Sequence, residues 1–280
     1  LSILDIDPKQ LQGRVVTSAK LHLHNRSKAP LRRATISTLA SNWVEGSATR
    51  YRKQNGSASF NWAAQDQKPW AWPRSDITAV INGVGNTIWR FTDASPPDKT
   101  NWQTADVDPA IVAARIAGLS YGFVLFDDVG NEYQRNGQQV THLPMRNRFF
   151  SSREAGAHLA PYFTVQLGLK DGLSPYPVND IKYICTGLPA GETLVSWTTP
   201  EDRGPAGTLG FHVRISKAET FTWESATEVP RYLIPMAGEP GQRVSLPLRD
   251  LQFTPGQSII LGIRAIDGAG NLGALQTAKV

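Results

Sequence analysis

The chain has 280 residues and a formal net charge of +5, with 24 glycines, 19 prolines and eight tryptophans. This length exceeds one average domain, and 40% hydrophobic residues argue against disorder, so we expect two folded domains. Frequent glycine and proline favour strands joined by loops over a helical fold. No apolar run reaches the roughly 18 residues that a membrane-spanning helix needs, so we expect no membrane span.

Short alternating or β-branched segments, separated by turn signals, fill the first part of the chain. RVVTSAKLHLH, RATISTLAS, SYGFVLF and PYFTVQL are examples, and such spacing is typical of a β-sandwich or jelly roll. DPAIVAARIAG predicts a helix, because proline lies near its start and glycine at its end. We expect this helix to close one end of the sandwich.

The segment AKLHLH, residues 19–24, alternates apolar side chains with nitrogen-bearing ones. Successive side chains of a strand face opposite sides of the sheet, so the alanine and both leucines are predicted in the core. Lys20, His22 and His24 then point outward as one row. Such a row would give charge-assisted hydrogen bonds to carboxylate or sulfate groups.

Positive charge is concentrated around this segment. Between Arg14 and Lys53, nine lysines and arginines face a single acid, Glu45, which gives +8 where the whole chain carries +5. A local excess of this size indicates an anionic partner, although solvated surface cations are an ordinary alternative. The candidate carbohydrate-binding residues are Lys20, His22, His24, Arg33, Arg50, Tyr51, Arg52 and Lys53, with Tyr51 offering an aromatic face.

Metal and catalytic motifs are sparse. His22 and His24 would supply only two of the ligands that zinc requires, and we expect no cofactor. Structural calcium is the alternative, with Asp127, Asp128 and Glu132 as candidate ligands but no calcium-loop pattern. The chain has no G-x-S-x-G, no H-E-x-x-H and no phosphate loop. We therefore predict that it is not an enzyme.

The only cysteine, Cys185, lies in the apolar segment IKYICTGL and is predicted to be a small buried side chain. A glycine- and proline-rich stretch, GLKDGLSPYPVND, precedes it. This stretch predicts a boundary, with a first domain at 1–168, a linker at 169–175 and a second domain at 176–280. The short strands predicted in the second domain suit an immunoglobulin-like sandwich.

The second domain resembles fibronectin type III domains. The resemblance rests on Trp197 in VSWTTP and on the segments GFHVRIS, LQFTPGQ and IRAIDGAGN. It implies an immunoglobulin-like sandwich that acts as a spacer or a binding platform. Ile259 stands where the family usually has a tyrosine, so the tyrosine corner is absent.

The first domain resembles the DNRLRE, or disaggregatase-related, domains that are grouped with carbohydrate-binding module family 96. TSAKLHLHN after LSILDID, then SNWVEGSAT, then FSSREAGAHLAPYFTV carry this resemblance. It implies a jelly roll that binds acidic glycans such as alginate without cleaving them. Such modules usually begin with an earlier strand that is not in this sequence, so we expect either a trimmed module or an open sheet edge.

The sequence therefore predicts an all-β, non-catalytic fragment of a larger extracellular or cell-surface protein, with further domains in the full-length chain. Its expected partner is an acidic polysaccharide held on the basic face. Nucleic acid is not expected, because the pattern does not fit a nucleic-acid-binding fold. The alternative is a structural or adhesion scaffold with protein partners.

Overall fold

A computed structural model describes most of the chain. The described residues are 1–26, 30–47, 53–81, 83, 85–127, 133–135, 138–140, 150–249, 251 and 256–280, and for 127, 133–135 and 138–140 only the backbone is described. None of the helices in these ranges is long and apolar enough to cross a membrane.

The described residues of the first domain form nine strands and one α-helix. The strands are β1 Ser2–Leu4, β2 Arg14–His24, β3 Arg33–Thr38, β4 Trp89–Asp93, β5 Trp102–Val107, β6 Phe123–Asp127, β7 Tyr133–Arg135, β8 Gln138–Val140 and β9 Tyr162–Lys170, and the helix is α1 Pro109–Ile116. Short 3-10 helices span Pro8–Leu11, Ile77–Val80, Arg153–Ala155 and Ala157–Leu159. The antiparallel strand orders are β1-β6-β3-β4 (the β3 sheet), β5-β2-β9 (the β2 sheet) and the β7-β8 pair.

The β2 and β3 sheets enclose the first core. Ala19, Leu21 and Leu23 of β2 are 3%, 1% and 3% exposed, which confirms the predicted inward row. They share one apolar cluster with Ile36 of β3 and Phe123 of β6. The alternation of β2 therefore decides which side chains remain on the outside of the β2 sheet.

The outer surfaces of the two sheets differ. The long excursion between β3 and β4 forms a second apolar cluster that includes Trp70, Ile77 and Val124. Val124 belongs to β6, so this cluster lies on the outer side of the β3 sheet, and Trp70 is completely buried there. The outer face of the β2 sheet keeps exposed residues such as Lys20, Thr164 and Asp106.

The second domain is a two-sheet sandwich. Its strands are β10 Asn179–Ile184, β11 Thr193–Thr198, β12 Thr208–Ser216, β13 Thr227–Glu228, β14 Arg243–Leu248, β15 Ile260–Asp267 and β16 Gln276–Lys279, with a 3-10 helix at Arg231–Leu233. The strand orders are β10-β11-β14 and β13-β12-β15-β16. Trp197 and Phe211 meet edge to face in its core, 5.1 Å apart.

The all-β prediction, a jelly-roll sandwich followed by an immunoglobulin-like sandwich of the fibronectin type III kind, is confirmed. Two details differ from the sequence-based expectation. Cys185 is exposed rather than buried, because it follows the largely exposed edge strand β10. Strand β9 extends to Lys170, two residues past the predicted end of the first domain, and the exact domain boundaries remain a prediction.

Helix α1 forms where the sequence predicts it, with Asp108 as its N-cap and Pro109 in its first turn. It does more than close the first sandwich, because its end packs against the second. Leu119, which is 1% exposed, belongs to one apolar cluster with Ala114, Ala117 and Ile266 of β15. A Cβ atom on Gly210 of β12 would lie 2.5 Å from the Leu119 side chain, so this contact has no spare room.

Polar contacts join the two sandwiches beside this apolar cluster. The amide of Gly13 donates to the carbonyl of Ala269 at 2.9 Å, and the Nε2 atom of His212 donates to the carbonyl of Ala117 at 3.0 Å. Burial lowers the pKa of His212, so its ring is neutral at pH 7. Specific contacts between the two sandwiches, in addition to the linker, therefore hold the domains together.

We predict that Leu119→Ala lowers the free energy of unfolding by about 2–5 kcal/mol, since it opens a cavity in this interface. Leu169→Ala is the control, because Leu169 is 71% exposed and its truncation should change stability by less than about 0.5 kcal/mol. Urea unfolding measures both variants. Equal midpoints for the two variants would show that the interface does not stabilise the chain.

Candidate functional site

The outward side chains of the β2 sheet form a surface that we call the β2 face. Register sets its composition, because residues directly opposite on paired strands point to the same side. His22 lies opposite Thr104 on one side and Tyr162 on the other, and Lys20 lies opposite Asp106 and Thr164. The β2 face comprises Lys20, His22, His24, Trp102, Thr104, Asp106, Tyr162, Thr164 and Gln166.

Four rings gather at one end of the β2 face. His22 and Tyr162 stack with centroids 4.3 Å apart and planes inclined by 5°. Trp102 meets Tyr162 and His24 edge-on, each at 5.4 Å. Tyr162 is 49% exposed, so this aromatic cluster remains open to solvent at its edge. Rings of this kind offer apolar faces beside polar groups, which is the surface that a sugar ring requires.

Hydrogen bonds fix the two histidines in place. His22 Nε2 lies 2.8 Å from the hydroxyl of Thr164, and His24 Nδ1 lies 2.9 Å from the hydroxyl of Ser151. Partial burial lowers the pKa of His22, and the charge of Lys20 lowers it further. His22 is therefore neutral at pH 7 and acts as a polar ring rather than as a fixed cation.

Lys20 carries the positive charge of the β2 face, but it has a partner. Its Nζ lies 3.1 Å from a carboxylate oxygen of Asp106, and the side chains are 55% and 78% exposed. Exposed pairs of this kind contribute only about 0–1 kcal/mol, because water screens both charges. An anionic ligand can thus displace Asp106 from Lys20 at little cost.

Arg33 and Lys53, the other predicted binding residues that the structure describes, do not join this surface. Arg33 lies on β3, in the opposite sheet, with its guanidinium carbon 4.6 Å from the centroid of Phe91. Lys53 pairs with Asp66 at 3.2 Å within the excursion between β3 and β4. Outside the described residues lie Arg50, Tyr51 and Arg52, and also the calcium candidates Asp128 and Glu132 and the side chain of Asp127.

A cleft of about 1460 Å³ adjoins the aromatic end of the β2 face. Tyr162 and Ser151 line it, so it continues from the ring that stacks on His22 and from the hydroxyl that holds His24. Two ion pairs also line the cleft, Arg115–Asp5 at 2.7 Å and Arg153–Glu45 at 2.8 Å. An extended ligand on the β2 face could place one end here.

The partners of the two histidines were not predicted from the sequence. Trp102, Tyr162 and Thr164 lie in segments that alternate as clearly as β2 does, and this alternation was the available signal. Strand register was needed to bring them next to His22. Lys20, His22 and His24 thus lie in the predicted outward row, and the structure adds the neighbouring rings of Trp102 and Tyr162 and the ion pair of Lys20 with Asp106.

No protein-family model matches the chain, and no curated protein matches it. Among solved structures, the FN1–FN3 domains of chicken CNTN1 are similar over 68% of this chain and 54% of that chain. The sequence identity is 15% and the TM-score is 0.29. The chain thus matches about half of that structure, and so low a similarity supports no statement about function.

We predict that the pKa of His22 lies below the ordinary histidine value of 6.5 and rises in Lys20→Gln, because that variant removes a repelling charge. Lys9→Gln, outside the β2 face, should leave it unchanged. Since the unfolded chain binds this proton more readily, the contribution of His22 to stability falls as the pH drops below about 6.5. NMR titration measures the pKa, and a value above 6.5 would contradict the geometry.

Proposed function

We propose that the β2 face is a carbohydrate-binding surface and that the chain is a non-catalytic binding fragment. The observation that carries this proposal is the parallel stack of His22 on Tyr162, whose side chain is about half exposed to solvent. Fixed rings bind without losing much side-chain freedom, and Thr164 and Ser151 already hold the histidines. A glycan can lie across these rings with its hydroxyl groups toward the neighbouring polar side chains.

The proposed ligand is an acidic polysaccharide, such as an alginate-like or sulfated chain. Lys20 supports this choice, because its only charged partner among the described residues is the exposed Asp106. A sugar carboxylate or sulfate would replace Asp106 and gain a charge-assisted hydrogen bond. Lys20, next to the rings, would thus recognise the acidic group of the sugar, and a broad basic patch would not be needed.

We further propose that the fragment belongs to a larger extracellular or cell-surface protein that carries further domains. The second sandwich would then position the β2 face at a fixed angle. In support of this role, apolar packing through Leu119 and the Gly13–Ala269 hydrogen bond joins it to the first sandwich.

A scaffold with protein partners is the second candidate function. The same interface favours it, since two sandwiches joined by packed contacts make a stiff spacer. The exposed pair Trp89 and Phe91, 5.3 Å apart on β4, offers an apolar surface of the kind that proteins bind. A scaffold would show no preference among glycans.

We predict that Tyr162→Ala weakens glycan binding about tenfold, because it removes the ring that supports His22. Tyr183→Ala is the matched control, since Tyr183 lies on β10 of the second sandwich and is 51% exposed, compared with 49% for Tyr162. Calorimetric titration with alginate, a sulfated galactan and a neutral glucan measures the affinity. If Tyr162→Ala binds glycan as tightly as the unmodified chain, the β2 face is not the binding surface. If the unmodified chain binds none of the three glycans, the scaffold function is favoured.

Lys20→Gln tests the preference for acidic chains. We expect it to weaken binding of alginate severalfold, to reduce the loss of affinity at high salt and to leave neutral glucan unaffected. Lys182→Gln is its control, because Lys182 forms an exposed ion pair with Asp180 in the second sandwich, with side chains 66% and 47% exposed. If neutral glucan binds as tightly as alginate in the unmodified chain, the surface binds sugars without selecting acidic ones.

A further inference from the structure

Two histidines, His22 and His24, share the outward row of β2 with Lys20. Histidine is the side chain that gains or loses a proton between about pH 5 and 8. The positive charge of this row can therefore change in the mildly acidic range, whereas a sulfate group on a glycan keeps its charge throughout. A surface of this composition can couple the binding of an anion to the binding of a proton.

The contacts of His22 suit both protonation states of its ring. The hydroxyl of Thr164, 2.8 Å from Nε2, can donate to a bare ring nitrogen or accept from a protonated one. The ring of Tyr162 stacks on His22 with centroids 4.3 Å apart, and an aromatic face attracts a cation at this distance. A proton can thus bind His22 without breaking the contacts that hold the ring.

Lys20 is the charged group that opposes a proton on His22. Burial, and after it the charge of Lys20, lower the pKa of His22. Asp106 of β5 pairs with Lys20 at 3.1 Å, but water screens this exposed pair and the lysine still repels the proton. Thr104 and Tyr162, which lie opposite His22 on β5 and β9, are of types that stay uncharged in this pH range.

His24 has a different electrostatic environment. Asp98, in the turn before β5, lies close enough for its carboxylate to attract a charge on His24. Trp102 meets the His24 ring edge-on, and Ser151 holds its Nδ1. A proton on His24 is thus balanced by an acid of the protein, whereas a proton on His22 faces the repelling Lys20. A bound anion therefore affects His22 more.

We propose that an acidic glycan and a proton on His22 bind the β2 face cooperatively, so that affinity for the glycan rises as the pH falls from about 7.5 to about 5.5. This inference rests on the proposed glycan-binding function. An anionic group next to Lys20 offsets the charge that repels the proton, and the protonated ring in turn attracts the anion. Because such coupling is reciprocal, the glycan favours the proton as much as the proton favours the glycan.

Calorimetric titration with a sulfated galactan at about pH 7.5 and about pH 5.5 tests this inference, and we expect affinity about three- to tenfold higher at the lower pH. In His22→Phe, which keeps a ring beside Tyr162 but takes up no proton, the ratio of the two affinities should fall to about one. His158→Phe is the matched control, since His158 is exposed and lies outside the β2 face. It should keep the ratio of the unmodified chain.

NMR titration of His22 in the unmodified chain is a second measurement that requires no variant. A saturating sulfated oligosaccharide should raise the pKa of His22, because it places an anion next to Lys20.

Three results would overturn the inference and leave glycan binding intact. The galactan binds equally at both pH values, His22→Phe keeps the ratio of the unmodified chain, or the pKa of His22 is the same with and without the oligosaccharide. If no glycan binds at either pH, the proposed function and this inference both fail.

Discussion

The alternation of strand β2 is the constraint on which the candidate site depends. Burial of Ala19, Leu21 and Leu23 fixes the strand against both neighbours, because a shift by one residue would expose all three. In this register His22 lies opposite Tyr162 of β9 and Thr104 of β5. The same apolar packing that stabilises the sandwich therefore assembles the ring cluster on its outer side.

Sequence-local charge is a poor guide to surface charge in this protein. Two of the nine cations around β2 pair with acids from other segments, Lys20 with Asp106 and Lys53 with Asp66. Arg33 lies over an aromatic ring on the other sheet. Conversely, the junction between the domains gathers buried acids that are separate in the sequence. The β2 face is thus mainly aromatic and polar, with one displaceable ion pair.

The all-β class, helix α1 and the two faces of β2 could be predicted from the sequence. Each depends on a local signal, either the spacing of apolar residues or the glycine and proline residues of turns. Register is not local: Thr164 and His22 are 142 residues apart, and no short-range pattern places them together. Cys185 was predicted wrongly for a related reason, since an apolar segment does not reveal whether its strand lies at the edge of a sheet. The proximity of Asp171, Asp202 and Asp267 was not predicted for the same reason, because they are far apart in the sequence and follow β9, lie between β11 and β12 and end β15, respectively.

Chemical-shift mapping with an acidic oligosaccharide tests the central claim most directly. On titration with an alginate oligomer, the account predicts that the largest changes fall on His22, Tyr162 and Trp102, with smaller ones at Lys20 and along the adjoining cleft. Changes that cluster instead around Trp89 and Phe91, or no saturable change at any oligosaccharide concentration, would contradict the assignment of glycan binding to the β2 face.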